Sequence, residues 1–310
     1  FYAYHRSKGA PRSKIIVPDT AHGTNPASAA LCGYKPVPIA SNEKGVLSPD
    51  DVAAVMDEET AGIMVTNPNT LGLFEEHIRE IADIVHAKDG LVYGDGANMN
   101  AIMGIADMGA IGIDVLHLNL HKTFSTPHGG GGPGSGPVCV LKHLEPFLPV
   151  PRVIHDNGRY LLSEDFPESI GKLHAFNGNV GVLLKAYSYI RSLGAKNLKK
   201  VSQLAVLNAN YIKAQLKDTF ELAYDRPCMH EVVLTDRALK EHGVVTMDVA
   251  KRLLDFGMHA PTVYFPLIVP EALMIEPTET ESRETLDAFA EALRSIRDEA
   301  LTDPGVLHEA

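Results

Sequence analysis

Lys122 has the setting in this sequence that most suggests covalent chemistry. It follows an apolar run, Val115 to Leu120, that is typical of a buried strand, and it precedes a glycine-rich loop, Gly129 to Gly136. Ligands of open α/β sheets bind where parallel strands end, and glycines let a ligand or another chain approach the backbone closely. A lysine at that edge could form a Schiff base with an aldehyde. The alternative is a surface lysine beside a flexible loop, which is the commoner situation for a lone Lys.

A phosphate loop of the nucleotide-binding type does not explain this segment. That motif needs Gly-Lys-Ser/Thr at the end of its glycines and a helix directly afterwards. Here Lys122 precedes the glycines, so the order of residues excludes it. The Schiff-base interpretation therefore remains, and it predicts pyridoxal phosphate as the aldehyde.

Asp95 is the second residue that supports this chemistry. It ends the apolar run Gly90 to Asp95, one strand before Lys122. A pyridoxal ring needs a fixed carboxylate beside its nitrogen, because the protonated ring draws electrons from the substrate carbon. The alternative role for Asp95 is a helix N-cap, since short polar residues at strand ends often cap the next helix. Considered together, Lys122 and Asp95 favour the cofactor site.

These residues need a parallel sheet to bring them together, and the first half of the chain predicts one. Apolar runs alternate with helical patterns in the order βαβα, so the ends of four strands should meet at one edge. That edge would collect His22, Thr66 with Asn67, Asp95 and Lys122. Strands are expected at residues 14–18, 35–40, 62–66, 90–95 and 115–120, with helices that start at Ser48 and cover residues 78–88.

The sequence changes character near residue 150. We expect residues 1–150 to form the large cofactor domain, 151–192 a crossing segment with a connecting helix, and 193–310 a smaller α/β domain. Residues 1–9 are typical of the last turns of a helix, so part of the large domain is expected to precede them. In the second half, strands are expected at residues 231–235 and 273–277, and helices at 180–192, 197–220, 247–256 and 282–301.

The composition limits the possible functions. With 310 residues, 45% of them hydrophobic, the chain is expected to be soluble and globular with a large core. A net charge of −11 without Lys/Arg-rich runs argues against nucleic acids and membranes as partners. The 14 histidines lack metal-ligand spacing, so no metal is predicted. Without a signal peptide, Cys32, Cys139 and Cys228 are expected to be reduced core residues of a cytoplasmic protein.

Long, distinctive motifs surround the predicted strand ends and continue towards the C-terminus. They are Ala-His-Gly-Thr-Asn-Pro-Ala-Ser-Ala (21–29), Asp-Gly-Ala-Asn-Met-Asn-Ala (95–101), His-Leu-Asn-Leu-His-Lys-Thr-Phe (117–124), Pro-His-Gly-Gly-Gly-Gly-Pro-Gly (127–134), Phe-Gly-Met-His-Ala-Pro-Thr-Val-Tyr-Phe-Pro (256–266) and Leu-Met-Ile-Glu-Pro-Thr-Glu-Thr-Glu (273–281). In these motifs the chain resembles the glycine dehydrogenase (decarboxylating) P-protein of the glycine cleavage system. It is similar to subunit 2, the pyridoxal-phosphate-binding half of a split P-protein.

The resemblance implies a fold and a set of ring contacts. The fold is the aminotransferase-like fold type I, an α/β architecture with a mostly parallel central sheet and a smaller C-terminal α/β domain. Lys122 matches the lysine that holds the cofactor, and Asp95 matches the partner of the ring nitrogen. Ala97 would pack near the ring, and His22 matches the residue that stacks on it. The alternative for His22 is a loop histidine bonded to the backbone.

The remaining contacts implied by the resemblance concern the ring hydroxyl and the phosphate. Thr66 or Asn67 would bond to the hydroxyl, and His121 or Asn119 would help hold the phosphate. The family also has an upstream glycine-rich segment before a helix, which would bind phosphate at the helix N-terminus. That segment is absent from these 310 residues.

The implied activity is pyridoxal-phosphate-dependent decarboxylation of glycine, with transfer of the aminomethyl group to the lipoyl arm of H-protein. The partners would be glycine, lipoylated H-protein and P-protein subunit 1, in a heterodimer or heterotetramer. The glycine-rich loop would lie where these chains converge. Two alternatives stay open, namely another fold type I decarboxylase or lyase, and a non-catalytic assembly subunit. The combination of Lys122 and Asp95 argues against the second.

Overall fold

The largest element of the computed structural model is a six-stranded sheet, and the description covers residues 1–128 and 134–310. Glycines 129–132 of the predicted loop therefore lie outside the described residues. The strands are β1 (Lys14–Pro18), β2 (Lys35–Ile39), β3 (Thr60–Thr66), β4 (Leu91–Gly96), β5 (Val115–Leu118) and β6 (Val138–Val140). Their order is β2-β1-β3-β4-β5-β6, with β1 to β5 parallel and β6 antiparallel to β5.

The five parallel strands confirm the strands predicted in the first half of the sequence. Apolar residues on both faces explain why helices cover the sheet on two sides. In β1, Ile16 packs into one core, while Ile15 and Val17 pack into the other. The helices of this half are α1 (Tyr2–Ser7), α2 (Thr24–Leu31), α3 (Pro49–Val55), α4 (Ile78–His86) and α5 (Leu120–Thr123), with 3₁₀ turns at Met99–Ala101 and Lys142–Phe147.

A short antiparallel hairpin follows the large sheet. It consists of β7 (Arg152–Asp156) and β8 (Arg159–Ser163), joined at Asn157 and Gly158, which both have positive φ. An Asn-Gly pair favours this two-residue hairpin turn because both positions need left-handed backbone. The segment expected to cross between the two domains therefore contains a β-hairpin.

One helical stretch, α6 (Val180–Leu216), connects the hairpin to the C-terminal part. Its backbone leaves helical geometry at Gly194 (φ 69°, ψ 167°), so it consists of two helical segments. This agrees with the two helices expected from the sequence, because glycine adopts positive φ without strain. We propose the domain limits 1–150, 151–192 and 193–310, which place the second segment of α6 with the C-terminal core.

The C-terminal part contains a four-stranded antiparallel sheet. Its strands are β9 (Glu221–Leu222), β10 (Val232–Thr235), β11 (Thr262–Val263) and β12 (Ala272–Ile275), in the order β11-β12-β10-β9. The predicted strands correspond to β10 and β12, while β9 and β11 were not predicted. Helices α7 (Thr246–Asp255), α8 (Arg283–Thr302) and α9 (Gly305–His308) complete the core with the end of α6, and a 3₁₀ helix covers Arg237–His242.

Three further observations concern the expectations from composition. No helix among the described residues is long and apolar enough to cross a membrane. Cys32, Cys139 and Cys228 are all free thiols. Only Cys228 is buried, so the expectation that all three are core residues was wrong for Cys32 and Cys139. Cys32 follows the last turn of α2, and Cys139 lies on β6, the edge strand of the large sheet.

Candidate active site

The predicted strand ends surround one cavity of about 340 Å³. It opens at the carboxyl ends of β1, β3, β4 and β5, and the antiparallel sheet forms its opposite wall. Convergence of strand ends at such an edge is the usual position of a ligand site in α/β folds. The cavity is lined by His22, Thr66, Thr70, Asp95, Ala97, Asn98, His121 and Lys122 from the large sheet, and by Glu231, Phe265, Met274, Glu276 and Thr278 from the C-terminal part.

Lys122 reaches the cavity from α5, the single turn of helix after β5. Its backbone N–H donates to the Asn119 carbonyl at 3.2 Å. Lys122 is exposed at the mouth of the cavity, where an incoming ligand can reach its amine. Gly136 passes directly against the end of β5, where a Cβ would lie 1.7 Å from the Leu118 carbonyl oxygen. Only glycine fits at this position.

Asp95 is held in place by neighbours on its own strand and on β5. Its Oδ1 accepts a hydrogen bond from the Ala97 N–H at 3.0 Å, and it lies 3.2 Å from Nε2 of His117. Carboxylates only accept, so Nε2 of His117 carries the hydrogen, and its Nδ1 accepts from the Tyr93 hydroxyl at 2.7 Å. Burial, followed by the charge of Asp95, raises the pKa of Tyr93 to about 12, so the hydroxyl keeps its proton.

His22 lies at the mouth of the cavity after β1. Its Nδ1 accepts a hydrogen bond from the Thr24 N–H at 3.2 Å, so the other ring nitrogen, Nε2, carries the proton in neutral imidazole. The ring packs edge-on against Phe265, with centroids 5.8 Å apart. Phe265 belongs to the C-terminal part, so this contact closes one side of the cavity.

Thr66 and His121 present unpartnered polar atoms at the cavity. Thr66 Oγ1 and His121 Nδ1 are buried and have no hydrogen-bond partner among the described residues. Partial burial, then the nearby His128 and Lys122, lower the pKa of His121, so its neutral form is favoured. Buried polar atoms normally have partners, so both atoms indicate a ligand or water.

Asn67 and Asn119 do not line the cavity. The Asn67 side chain turns away and accepts from the Glu75 N–H at 3.0 Å. The Asn119 side-chain oxygen accepts a hydrogen bond from Nε2 of His117 at 3.1 Å. Of the two pairs that the sequence left open, Thr66 and His121 therefore line the cavity, whereas Asn67 and Asn119 do not.

Sequence reasoning assigned neither His117 nor Glu231 to the site. His117 could have been found from the sequence because it begins the motif at residues 117–124. It also lies on the predicted strand next to the one that carries Asp95. Glu231 and Glu276 both line the cavity, whereas His259 lies in a separate cavity beside α8. Neither glutamate follows a parallel strand, so the strand-end argument could not identify them.

Two family models match separate parts of the chain. Residues 2–150 match the class-V aminotransferases, and residues 201–303 match the C-terminal domain of glycine dehydrogenase. The probable glycine dehydrogenase (decarboxylating) subunit 2 of Caldanaerobacter subterraneus subsp. tengcongensis is 60% identical over 99% of this chain and 64% of its own length. The corresponding protein of Staphylococcus haemolyticus is 57% identical over 100% of this chain and 63% of its own length. The chain belongs to the same family as these glycine dehydrogenase subunits.

Solved structures show that members of this family share their fold with other enzymes. An inhibitor-bound glycine decarboxylase (P-protein) of the glycine cleavage system superposes with a TM-score of 0.76 at 20% identity, covering 95% of this chain and 67% of that one. A sphingosine-1-phosphate lyase from Burkholderia pseudomallei gives 0.71 at 17% identity, over 99% and 69%. The expected aminotransferase-like fold type I is therefore confirmed. The chain spans a little under two thirds of the length of both curated glycine dehydrogenase relatives.

Proposed function

We propose that this chain is the catalytic part of a pyridoxal-phosphate-dependent enzyme that decarboxylates glycine and transfers the aminomethyl group to the lipoyl arm of an H-protein. The main support is that Lys122 and Asp95 line the same cavity. Asp95 lies near the end of β4, Lys122 follows β5, and these two strands are paired. The family relationship to glycine dehydrogenase (decarboxylating) subunit 2 supports glycine as the substrate.

The residues around the cavity fit pyridoxal phosphate. Lys122 would hold the aldehyde carbon, and Asp95 would lie at the ring nitrogen. The two unpartnered groups, Thr66 Oγ1 and His121 Nδ1, would donate to the ring hydroxyl and the phosphate. Ala97 has a small side chain at the cavity wall, which leaves room for a flat ring. Any larger side chain at position 97 would reduce this space.

When bound, pyridoxal phosphate supplies an electron sink for the pair of electrons released as the carboxyl group leaves as CO₂. The protein supplies orientation and fixed charge. Asp95 keeps its carboxylate at one position because its Oδ1 accepts a hydrogen bond from the Ala97 N–H and lies 3.2 Å from Nε2 of His117. His22 presents a ring whose Nδ1 is fixed by Thr24, so its orientation does not depend on the substrate.

We infer that a companion subunit and an H-protein complete the enzyme. The relatives are named as subunit 2, which implies a subunit 1 for those proteins. In this chain the hairpin surface, defined as Val153, Tyr160, Leu161 and Leu162, is 47–77% exposed. Exposed apolar patches on soluble proteins commonly mark interaction sites. The cytoplasm is the proposed compartment, and the three free thiols are compatible with it.

Borohydride trapping followed by mass spectrometry tests the site. We expect the reduced cofactor on Lys122 in the wild-type chain and no adduct in Lys122→Ala. Lys122→Arg is the matched control, because it keeps a positive charge but cannot form a Schiff base. An adduct on a different lysine would show that the site is elsewhere.

Exchange of labelled bicarbonate into glycine tests the reaction. We expect little exchange from this chain alone and full exchange when subunit 1 and lipoylated H-protein are added. Omitting each component in turn identifies which one is required. Full activity without H-protein would instead favour a free-standing fold type I decarboxylase or lyase.

A further inference from the structure

Glu231 is a buried acid in the cavity that the proposed reaction does not yet use. It is 2% exposed, and its Oε1 has no hydrogen-bond partner among the described residues. Its Oε2 lies 3.6 Å from Nε2 of His230, which is beyond a normal hydrogen bond. A buried, unpartnered carboxyl group is costly, so a ligand that bonds to it inside the cavity is expected.

Glu276 lies opposite Glu231 on the neighbouring strand. Val232 pairs with Ile275 in the antiparallel ladder, so Glu231 and Glu276 are the next pair in register. The oxygens of the two carboxyl groups and a nitrogen of His230 lie within 4.8 Å of one another. Two negatively charged carboxylates placed directly across paired strands repel each other, so one of the two tends to keep a proton. Burial disfavours the charged form, so Glu231 is the member that keeps it most easily.

The surroundings of Glu231 favour its neutral form. Burial, then the charge of Glu276, raise the pKa of Glu231 well above its usual value, while Lys122 and the Gly72 backbone act in the opposite direction. His230 is buried, and burial lowers its pKa, so it does not supply a compensating positive charge.

The cavity offers few cations for a substrate carboxylate. Among the described residues that line it, Lys122 is the only lysine or arginine, and the proposed function assigns its amine to the cofactor. His22 and His121 also line the cavity, but burial and neighbouring positive charges disfavour the protonated form of His121. A neutral carboxylic acid is one of the few groups left that can donate a hydrogen bond to a carboxylate.

We propose that Glu231, in its protonated form and with its proton favoured by the facing Glu276, donates a hydrogen bond to the carboxylate of the substrate amino acid. This rests on the proposed function and adds the group that recognises the substrate. Glu276 is exposed, and its Oε1 accepts a hydrogen bond from Asn100 Nδ2 at 3.0 Å. Gly72 lets the backbone at Glu231 pack closely against the N-terminal half, since a Cβ at Gly72 would lie 2.1 Å from the Glu231 carbonyl oxygen.

Comparison of glycine with methylamine isolates the carboxylate. Both amines are titrated into the assembled holoenzyme, and binding is followed by the change in the visible spectrum. We expect Glu231→Ala to weaken glycine binding roughly ten- to hundredfold, as for loss of a hydrogen bond to a charged group, and to leave methylamine binding unchanged. Glu231→Gln should keep glycine affinity within about threefold, because an amide also donates. Glu281→Ala, an exposed glutamate outside this cavity, is the matched control.

The wild-type enzyme provides a test that does not depend on variants folding. Glycine affinity, relative to methylamine affinity, should fall as pH rises through the pKa of Glu231, and Glu231→Gln should remove this pH dependence. Equal loss in Glu231→Gln and Glu231→Ala would mean that an ionised carboxylate is needed, which overturns the proposal. The proposal is also overturned if Glu231→Ala weakens the binding of glycine and of methylamine equally, or if glycine binding requires a divalent cation that EDTA removes. Borohydride trapping on Lys122 in each variant separates these outcomes from failure of the proposed function.

Discussion

Nε2 of His117 lies 3.2 Å from Oδ1 of Asp95, so a ring on the next strand holds the carboxylate that faces the cavity. His117 is itself positioned by the Tyr93 hydroxyl, 2.7 Å from its Nδ1. The three side chains form a continuous chain from the interior of the sheet to the cavity. Asp95 therefore keeps its orientation without help from a ligand.

Replacing His117 tests this arrangement. In His117→Ala, Asp95 loses a polar contact that positions its carboxylate, and we expect the dissociation constant for pyridoxal phosphate to rise roughly tenfold, which corresponds to about 1.4 kcal/mol. Tyr93→Phe keeps the histidine and removes only its hydroxyl partner, so its effect should be smaller. Equilibrium dialysis measures both. Wild-type affinity in His117→Ala would show that the contact does not position Asp95 for the cofactor.

Replacing Asp95 tests the fixed charge. Asp95→Asn keeps an oxygen that can accept from the Ala97 N–H but removes the negative charge. We expect the cofactor to bind and turnover in the assembled enzyme to fall on the order of a hundredfold or more, because a few kcal/mol of transition-state stabilisation is lost. Turnover is measured by bicarbonate exchange. A near-normal rate would assign the carboxylate a different role.

Charging the hairpin surface tests the inferred assembly. Leu162 is 59% exposed. In Leu162→Glu we expect weaker association with subunit 1 but an unchanged melting temperature. Leu31→Glu, at a leucine that is 89% exposed on α2, is the matched control. Analytical ultracentrifugation of the mixed subunits measures association. Equal association of both variants would remove this surface from the interface. Glycines 129–132 of the loop that the resemblance places where the chains converge lie outside the described residues.

Asp236 should make stability depend on pH. Burial is the main cause that raises the pKa of Asp236 to about 6, and its Oδ2 has no partner among the described residues. The folded state therefore binds more protons than the unfolded state between about pH 4 and pH 6, so stability is lost as pH rises through that window, by up to about 3 kcal/mol.

Urea unfolding at several pH values measures this effect. Asp236→Asn removes the titrating group and should flatten the pH dependence in that window, while it keeps an acceptor for the Thr246 hydroxyl. Asp218→Asn, at an exposed aspartate, is the control and should behave as wild type. If Asp236→Asn and wild type lose stability in parallel, another group is responsible.

The sequence by itself determined the parallel strands, most of the longer helices and the first set of site residues. Apolar runs that end in polar residues identified β1, β3, β4 and β5, because parallel strands of a covered sheet are buried on both faces. Since the ends of such strands meet at one edge, Lys122, Asp95, His22 and Thr66 could be assigned to one cavity before any coordinates. The motifs identified the family for the same reason, because they lie at these strand ends.

Only the tertiary structure decided which groups complete the site. His117 approaches Asp95 because β4 pairs with β5 in one register, with Asp95 opposite His117, and neither residue alone specifies that pairing. Glu231 and Glu276 meet because β10 and β12 pair antiparallel, although 45 positions separate them in the sequence numbering. Local patterns report burial and periodicity, whereas register and the packing of one sheet against another depend on contacts between distant residues. The carboxyl pair opposite Lys122 is a property of that packing.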